Sequence, residues 1–234
     1  MNPTQQLQTE NYNLRMQLNT VIFDMDGLLI DSEPLWNEAA AEVFKMYSIT
    51  LSDEQYHSTT GLRTKEFVQW WFQKFNLGDA EHARAESLIF EKVMSKIEAK
   101  GNIMPGVQYI FRFFHERNFK IGVASSSPLG LIDMAIDMCG VSSVVEAKAS
   151  GEFLPYGKPH PQVYLDCAAS LEADPLACLC FEDSFPGLIA AKAARMKCVV
   201  VPHFSQQKND KWAIADLKIS SLQNFGELHL NLLQ

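Results

Sequence analysis

The chain has 234 residues, 47% of them hydrophobic and 21% charged, the make-up of an ordinary soluble globular protein with one sizeable core or a core plus a small second unit. A net charge of -8 with no long basic run disfavours a nucleic-acid groove or an anionic membrane surface as partner. No apolar stretch approaches the roughly 18 residues of a membrane-spanning helix.

Residues 1–19 are rich in Gln and Asn, lack the apolar segment of a secretory signal, and read as a polar N-terminal extension. The first structured element is Val21-Ile22-Phe23, an apolar run that ends in Asp24-Met25-Asp26-Gly27 and reads as a buried parallel strand. Side chains two apart on a strand point the same way, so Asp24 and Asp26 can serve one site. Buried close together they require a metal, a cationic side chain or a shared proton. The plainer alternative is an Asp-Gly turn.

Ser32-Glu33-Pro34 is a helix start, with Ser32 as the capping hydroxyl and Trp36, Ala40, Val43/Phe44 and Tyr47 at helical spacing behind it. A second helical stretch from about Arg63 carries Phe67, Trp70/Trp71 and Phe75, and a third runs from about Asp79 to Lys100. From residue 103 helix and strand alternate. Pro105-Gly106 opens a helix; strands are expected at Lys120 to Ala124, Val144-Val145, Cys178 to Phe181 and Cys198 to Val201. Helices fall between them, including one with Tyr164, Cys167 and Leu171 on its apolar face and an alanine-rich one from Gly187 to Arg195. The pattern predicts an α/β fold, a parallel sheet with helices on both faces whose ligands bind beyond the carboxyl ends of the strands. The five cysteines are odd in number and sit mostly in apolar periodic segments, so they read as free buried thiols of a reducing compartment, the cytoplasm.

Chemistry-bearing residues follow the strands. Ser125-Ser126-Ser127 places hydroxyls and N–H groups at a helix start, suited to an anion or simply to capping. Lys158, between Gly157 and Pro159, is a point charge for a phosphate oxygen or a solvated loop lysine. Glu182-Asp183 ends a strand with two oxygen donors suited to Mg²⁺, or forms an acidic turn.

Together, Phe23 to Gly27, Ser125 after Gly122-Val123-Ala124, Gly157 to Pro161 and Phe181 to Gly187 closely resemble the haloacid dehalogenase-like superfamily. The resemblance implies a Rossmann-like doubly wound core, residues 20–31 and 103–234, with a small all-α cap, residues 32–102, inserted after the first strand. It implies Asp24 as a nucleophile that becomes phosphorylated and Asp26 as general acid and base. Mg²⁺ is expected on Asp24, Asp183 and the backbone carbonyl of Asp26, with Glu182 reaching it through water. Ser125, Ser126 and Lys158 would bind the phosphoryl group, and Arg63 is the cap's candidate for substrate contact.

Further stretches, Asp24 to Trp36, Thr60 to Arg63, Leu154 to Ala169 and Ala190 to Pro202, are similar to the branch that dephosphorylates 2-deoxyglucose 6-phosphate and hexitol phosphates. The expected partner is accordingly a small phosphorylated sugar or sugar alcohol, and the chain is expected to be a monomer. Two other readings stand beside this one. A β-phosphoglucomutase-like mutase shares all four motifs and needs a grip on a second phosphate, for which Arg63 and Lys65 are the nearby basic residues. A non-catalytic phosphosugar-binding protein is disfavoured by the intact set of Asp24, Asp26, Lys158 and Asp183. Trp36, Trp70 and Trp71 read as packing residues, and no histidine is assigned a role.

Overall fold

The computed structural model describes residues 17–59 and 61–234. Most of the polar extension, and Thr60 of the Thr60 to Arg63 stretch, therefore lie outside the described residues. Six strands, β1 (Thr20–Phe23), β2 (Lys120–Ser125), β3 (Ala147–Ser150), β4 (Cys178–Glu182), β5 (Lys197–Val200) and β6 (Leu217–Lys218), form one sheet in the order β3-β2-β1-β4-β5-β6. Every pairing is parallel, as the alternation of helix and strand predicts. Between β1 and β2 come α1 (Glu33–Lys45), α2 (Asp53–Ser58), α3 (Thr64–Lys74), α4 (His82–Lys100) and α5 (Val107–His115). Then follow α6 (Leu129–Cys139), α7 (Gln162–Ser170), α8 (Phe185–Ala193) and α9 (Glu227–Leu233).

Strand β1 is buried on both faces, so its side chains alternate between two cores. Val21 and Phe23 join the cluster of α5, α6 and α9, whereas Ile22 joins that of α7 and α8. Phe23 stacks on Phe111 at 4.5 Å and on Phe181 at 5.1 Å between ring centroids, which ties β1 to α5 and β4. All five cysteines are free and buried. Burial pushes the Cys139 thiol up to about 11 and those of Cys167 and Cys178 to about 12, so they are packing residues rather than nucleophiles.

Helices α1 to α4 form a helical layer of the chain. Helix α1 lies along α4, with Val43, Phe44, Ile89, Val93 and Ile97 buried and Phe72 of α3 beside them. On its outer side Glu38 and Glu42 pair with Lys92, Lys96 and Lys100, exposed contacts that each contribute little. The two crossings to the sheet are bonded to each other. The Asp31 N–H donates to the Asn102 carbonyl and the Met104 N–H to the Leu29 carbonyl, around an antiparallel bridge between Ile30 and Ile103.

Three expectations change. The strand expected at Val144-Val145 lies at Ala147–Ser150 instead, because β3 is an edge strand with small inward residues, Ala147 and Ala149, and an exposed Lys148. Its weak hydrophobicity hides it, while the valines occupy the preceding turn. In α3 the face turned inward is Val68, Trp71 and Phe72; Trp70 and Phe75 are largely exposed. Helix α2, with its Ser52–Gln55 capping box, and the short β6 carry too little periodic signal to be read in advance. Among the described residues no helix is long and apolar enough to cross a membrane.

The Phe23 contacts give a direct check. Phe23→Ala should lower the unfolding free energy by about 3–5 kcal/mol, read from the urea midpoint, because the cavity would open between three elements.

Candidate active site

Strands β1 and β4 are neighbours with Phe23 opposite Phe181, so Asp24 and Glu182 come level where the sheet ends. Alternation along β4 places Cys180 with the α7 and α8 core and Phe181 with the other. Glu182 therefore faces α7, and Asp183 turns away from it. Into this corner the loop before α7 delivers Lys158, which is 4% exposed. Its Nζ donates to Asp24 Oδ1 at 2.5 Å, to Glu182 Oε1 at 2.6 Å and to Tyr164 Oη at 3.1 Å. Tyr164 in turn donates its hydroxyl to Glu182 Oε1 at 2.6 Å. The other oxygen of Glu182 accepts the Asp183 and Ser184 N–H groups and the Ser184 hydroxyl, at 2.9–3.0 Å.

The charges are interdependent. Burial alone would pull Lys158 down, but the carboxylates of Asp24 and Glu182 more than reverse it and hold the amine protonated. Burial pushes the Asp24 carboxyl up to about 8 against the attraction of Lys158, with Glu182 and Asp26 adding to the push. Asp183 is raised well above the usual carboxylate range by burial and then by Glu182 and Asp24. One lysine thus stands among more acids than it can neutralise.

A cation fits this imbalance. Asp24, Glu182 and Asp183 bring carboxylate oxygens within 4.8 Å of one another. Glu182, expected to reach a metal through water, has both oxygens committed to Lys158, Tyr164 and the Asp183-Ser184 turn, so Asp24 and Asp183 are the acids with capacity left. An all-oxygen donor set suits Mg²⁺. Gly27, at φ +74°, turns the chain over Asp183; a Cβ there would stand 2.3 Å from Asp183 Oδ2.

Asp26 is held quite differently. Ser32 Oγ and Trp36 Nε1 donate to its Oδ1 at 2.7 and 2.8 Å, and Ser127 Oγ and Ser125 Oγ to its Oδ2 at 2.7 and 3.2 Å. Ser32 stands at the N-cap of α1 but makes no capping bond with its side chain, because Asp26 takes the hydroxyl. Trp36 is likewise a ligand of Asp26 rather than only packing. Ser126 points its hydroxyl to the Gly61 carbonyl at 3.2 Å.

Asp24, Asp26, Ser125, Ser126, Lys158 and Asp183 border one cavity of about 110 Å³, roofed by α1, α2, α3 and α4 through Trp36, Tyr56, Phe67 and Ile89. Glu182 lies beneath it, fully buried. Arg63 reaches the rim, but its Nη1 donates to the carbonyls of Gly151 and Leu154 and its Nη2 to Glu66. Sequence reasoning missed Tyr164, Ser32 and Trp36 as polar partners of the site, and Ser127, expected with the anion-binding serines, donates to Asp26 instead. The available signal was that a buried phenol or indole needs a hydrogen-bond partner.

Residues 18–195 match the family model described as haloacid dehalogenase-like hydrolase. The chain is 40% identical over 207 residues to "Hexitol phosphatase B" of Escherichia coli strain K12, covering 88% of this chain and 93% of the relative. Among solved structures, CbbY from Rhodobacter sphaeroides in complex with phosphate superposes with a TM-score of 0.82 at 22% identity, covering 92% of this chain and 100% of its own. The β-phosphoglucomutase of Clostridium difficile gives a TM-score of 0.81 at 21% identity, covering 93% and 97%. At those identities the two structures share the fold with this chain.

Removing charge from Glu182 tests the buried cluster. Glu182→Gln should destabilise the protein by about 3–5 kcal/mol in urea denaturation, because Lys158 loses one of its two buried counter-ions.

Proposed function

Since the chain belongs to the haloacid dehalogenase-like hydrolases, we propose that it hydrolyses the phosphomonoesters of small sugars or sugar alcohols with Mg²⁺, through a phosphorylated Asp24. The observation that carries the chemistry is the convergence of Asp24, Asp26, Lys158 and Asp183 on one cavity at the ends of β1 and β4. The 40% identity to a hexitol phosphatase supports hexitol phosphates as the substrate class to test first.

In this reading Asp24 attacks phosphorus, and the sugar oxygen leaves as it takes a proton from Asp26. The same Asp26 then accepts a proton from the water that attacks the phosphorylated Asp24, releasing inorganic phosphate and restoring both acids. Ser32, Trp36, Ser125 and Ser127 hold the Asp26 carboxyl at the cavity wall, and one of their hydrogen bonds gives way when Asp26 carries or accepts the proton. Lys158 keeps Asp24 oriented and places positive charge beside the transferring phosphoryl group, with Ser125 and the Ser126 backbone as further donors. When bound by Asp24, Asp183 and the Asp26 carbonyl, Mg²⁺ supplies the charge that offsets repulsion between an anionic nucleophile and a phosphate dianion. Helices α1 to α4 act as the cap that excludes water and faces the sugar. Free buried thiols fit a reducing compartment, the cytoplasm.

Phosphate release from a panel of hexitol, hexose and pentose phosphates should concentrate on one of these groups, cease with a chelator and return with Mg²⁺. Asp24→Asn should abolish it; retained turnover would exclude Asp24 as nucleophile. Asp26→Asn should slow release from hexitol phosphates by about 10²–10⁴-fold. Its first half-reaction with p-nitrophenyl phosphate, whose leaving group needs no proton, should fall far less.

A further inference from the structure

Among the described residues, Lys158 and Arg63 are the cationic side chains bordering the cavity, and Lys158 is committed to Asp24 and Glu182. Arg63, 9% exposed, stands just before α3 and spans to the other part of the chain. Its Nη1 donates to the carbonyls of Gly151 at 3.1 Å and Leu154 at 2.5 Å, and its Nη2 to Glu66 Oε1 at 2.5 Å. Glu66 Oε1 also accepts the Gly157 N–H at 3.2 Å, and its Oε2 accepts the Arg63 N–H at 3.3 Å. Nε, a further donor, is buried beside Gly157 without a hydrogen-bond partner among the described residues, 2.7 Å from where a Cβ there would stand. Arg63 and Glu66 together therefore bind three backbone groups of the 151–157 segment, which leads directly into Lys158.

A second phosphate at the far end of a substrate would need a free cationic edge on the roof of the cavity. Three of the four Nη–H donors of Arg63 are taken by protein carbonyls and a carboxylate, and Glu66 pairs its charge. Lys65 is exposed and does not border the cavity. The roof otherwise presents neutral Trp36, Asn37, Tyr56 and Phe67, with acidic Glu33 beside them. Such a surface accepts an uncharged polyol end and repels a second dianion.

We propose that Arg63, with Glu66, is a clasp that fastens the helical layer over the site through the 151–157 segment, and that the site consequently selects monophosphates with uncharged far ends over bisphosphates. The selectivity deepens the phosphatase reading and rests on it; the clasp itself does not. Arg63 is a positioning residue: closure comes from the protein's own contacts rather than from a charge on the substrate.

The test compares wild type, Arg63→Ala and Glu66→Gln on p-nitrophenyl phosphate, a hexitol 6-phosphate and a hexose 1,6-bisphosphate, alongside amide hydrogen exchange without substrate. Both variants should speed exchange at the Gly157 amide. Each should lower kcat/KM on the two monoesters by a common factor, about ten- to a hundredfold for Arg63→Ala, and the bisphosphate should be the poorest substrate throughout. Unchanged Gly157 exchange in both variants, or a loss confined to the sugar substrates with p-nitrophenyl phosphate spared, overturns the clasp. Wild-type turnover of the bisphosphate equal to that of the monophosphate overturns the selectivity. If wild type releases phosphate from no compound, the phosphatase reading fails with its selectivity, while the exchange at Gly157 still decides the clasp.

Discussion

A protonated lysine locked between two carboxylates in a dry interior is the constraint from which the rest of the structure follows. Removing an amine and two acids from water is costly, and it is tolerated only where geometry leaves few lone pairs unsatisfied. Here the register of β1 against β4 sets the two acids level, and the loop before α7 brings the amine to both. Tyr164 and the Ser184 turn fill the remaining positions on Glu182. The first turn of α8 descends so closely that a Cβ at Gly187 would stand 1.6 Å from Glu182 Oε1, so glycine alone fits beneath the carboxylate. Sheet register, two helix starts and a turn are thus jointly fixed by one buried charge cluster.

That cluster also separates the two aspartates of the first motif by environment. Asp24 sits in the low-dielectric corner with Lys158, its carboxyl pushed up by burial. Asp26 is instead surrounded by neutral hydroxyl and indole donors. Two carboxylates two residues apart are thereby given different partners, which is what a nucleophile and a proton carrier require.

The local features of the fold were legible in the sequence because they are written in short-range patterns. The apolar run into Asp24-Met25-Asp26-Gly27, the glycine-lysine-proline loop and the acidic end of β4 each announce themselves within a few residues. What was not legible depends on partners far along the chain. Ser32 has every local mark of a capping hydroxyl, yet Asp26 takes it. Glu182 looks like a cation ligand until Lys158 and Tyr164 reach it from the helix α7 side. Arg63 has a local partner in Glu66 three residues on, but the carbonyls of Gly151 and Leu154 that also hold it lie about ninety positions further along the chain. β3 escaped for the opposite reason: an edge strand of small residues needs little hydrophobicity to be stable against one neighbour.

The paired crossings at the base of the helical layer bear on how such a chain can change over time. With residues 29–31 hydrogen-bonded to residues 102–104, the two chain crossings between the layer and the sheet form one stapled seam. A seam of this kind leaves the β1–β4 register that sets Asp24 beside Glu182 independent of the block beyond it, whereas the 151–157 segment leading to Lys158 is bound from that block by Arg63 and Glu66. The block is not chemically silent, however. Ser32 and Trp36 lie beyond the seam and grip Asp26 from there. Any lineage that swapped the block for another would alter which molecules are admitted and, in the same event, the hold on the group proposed to carry the proton. Substrate range and acid–base tuning would then be inherited together rather than drift apart.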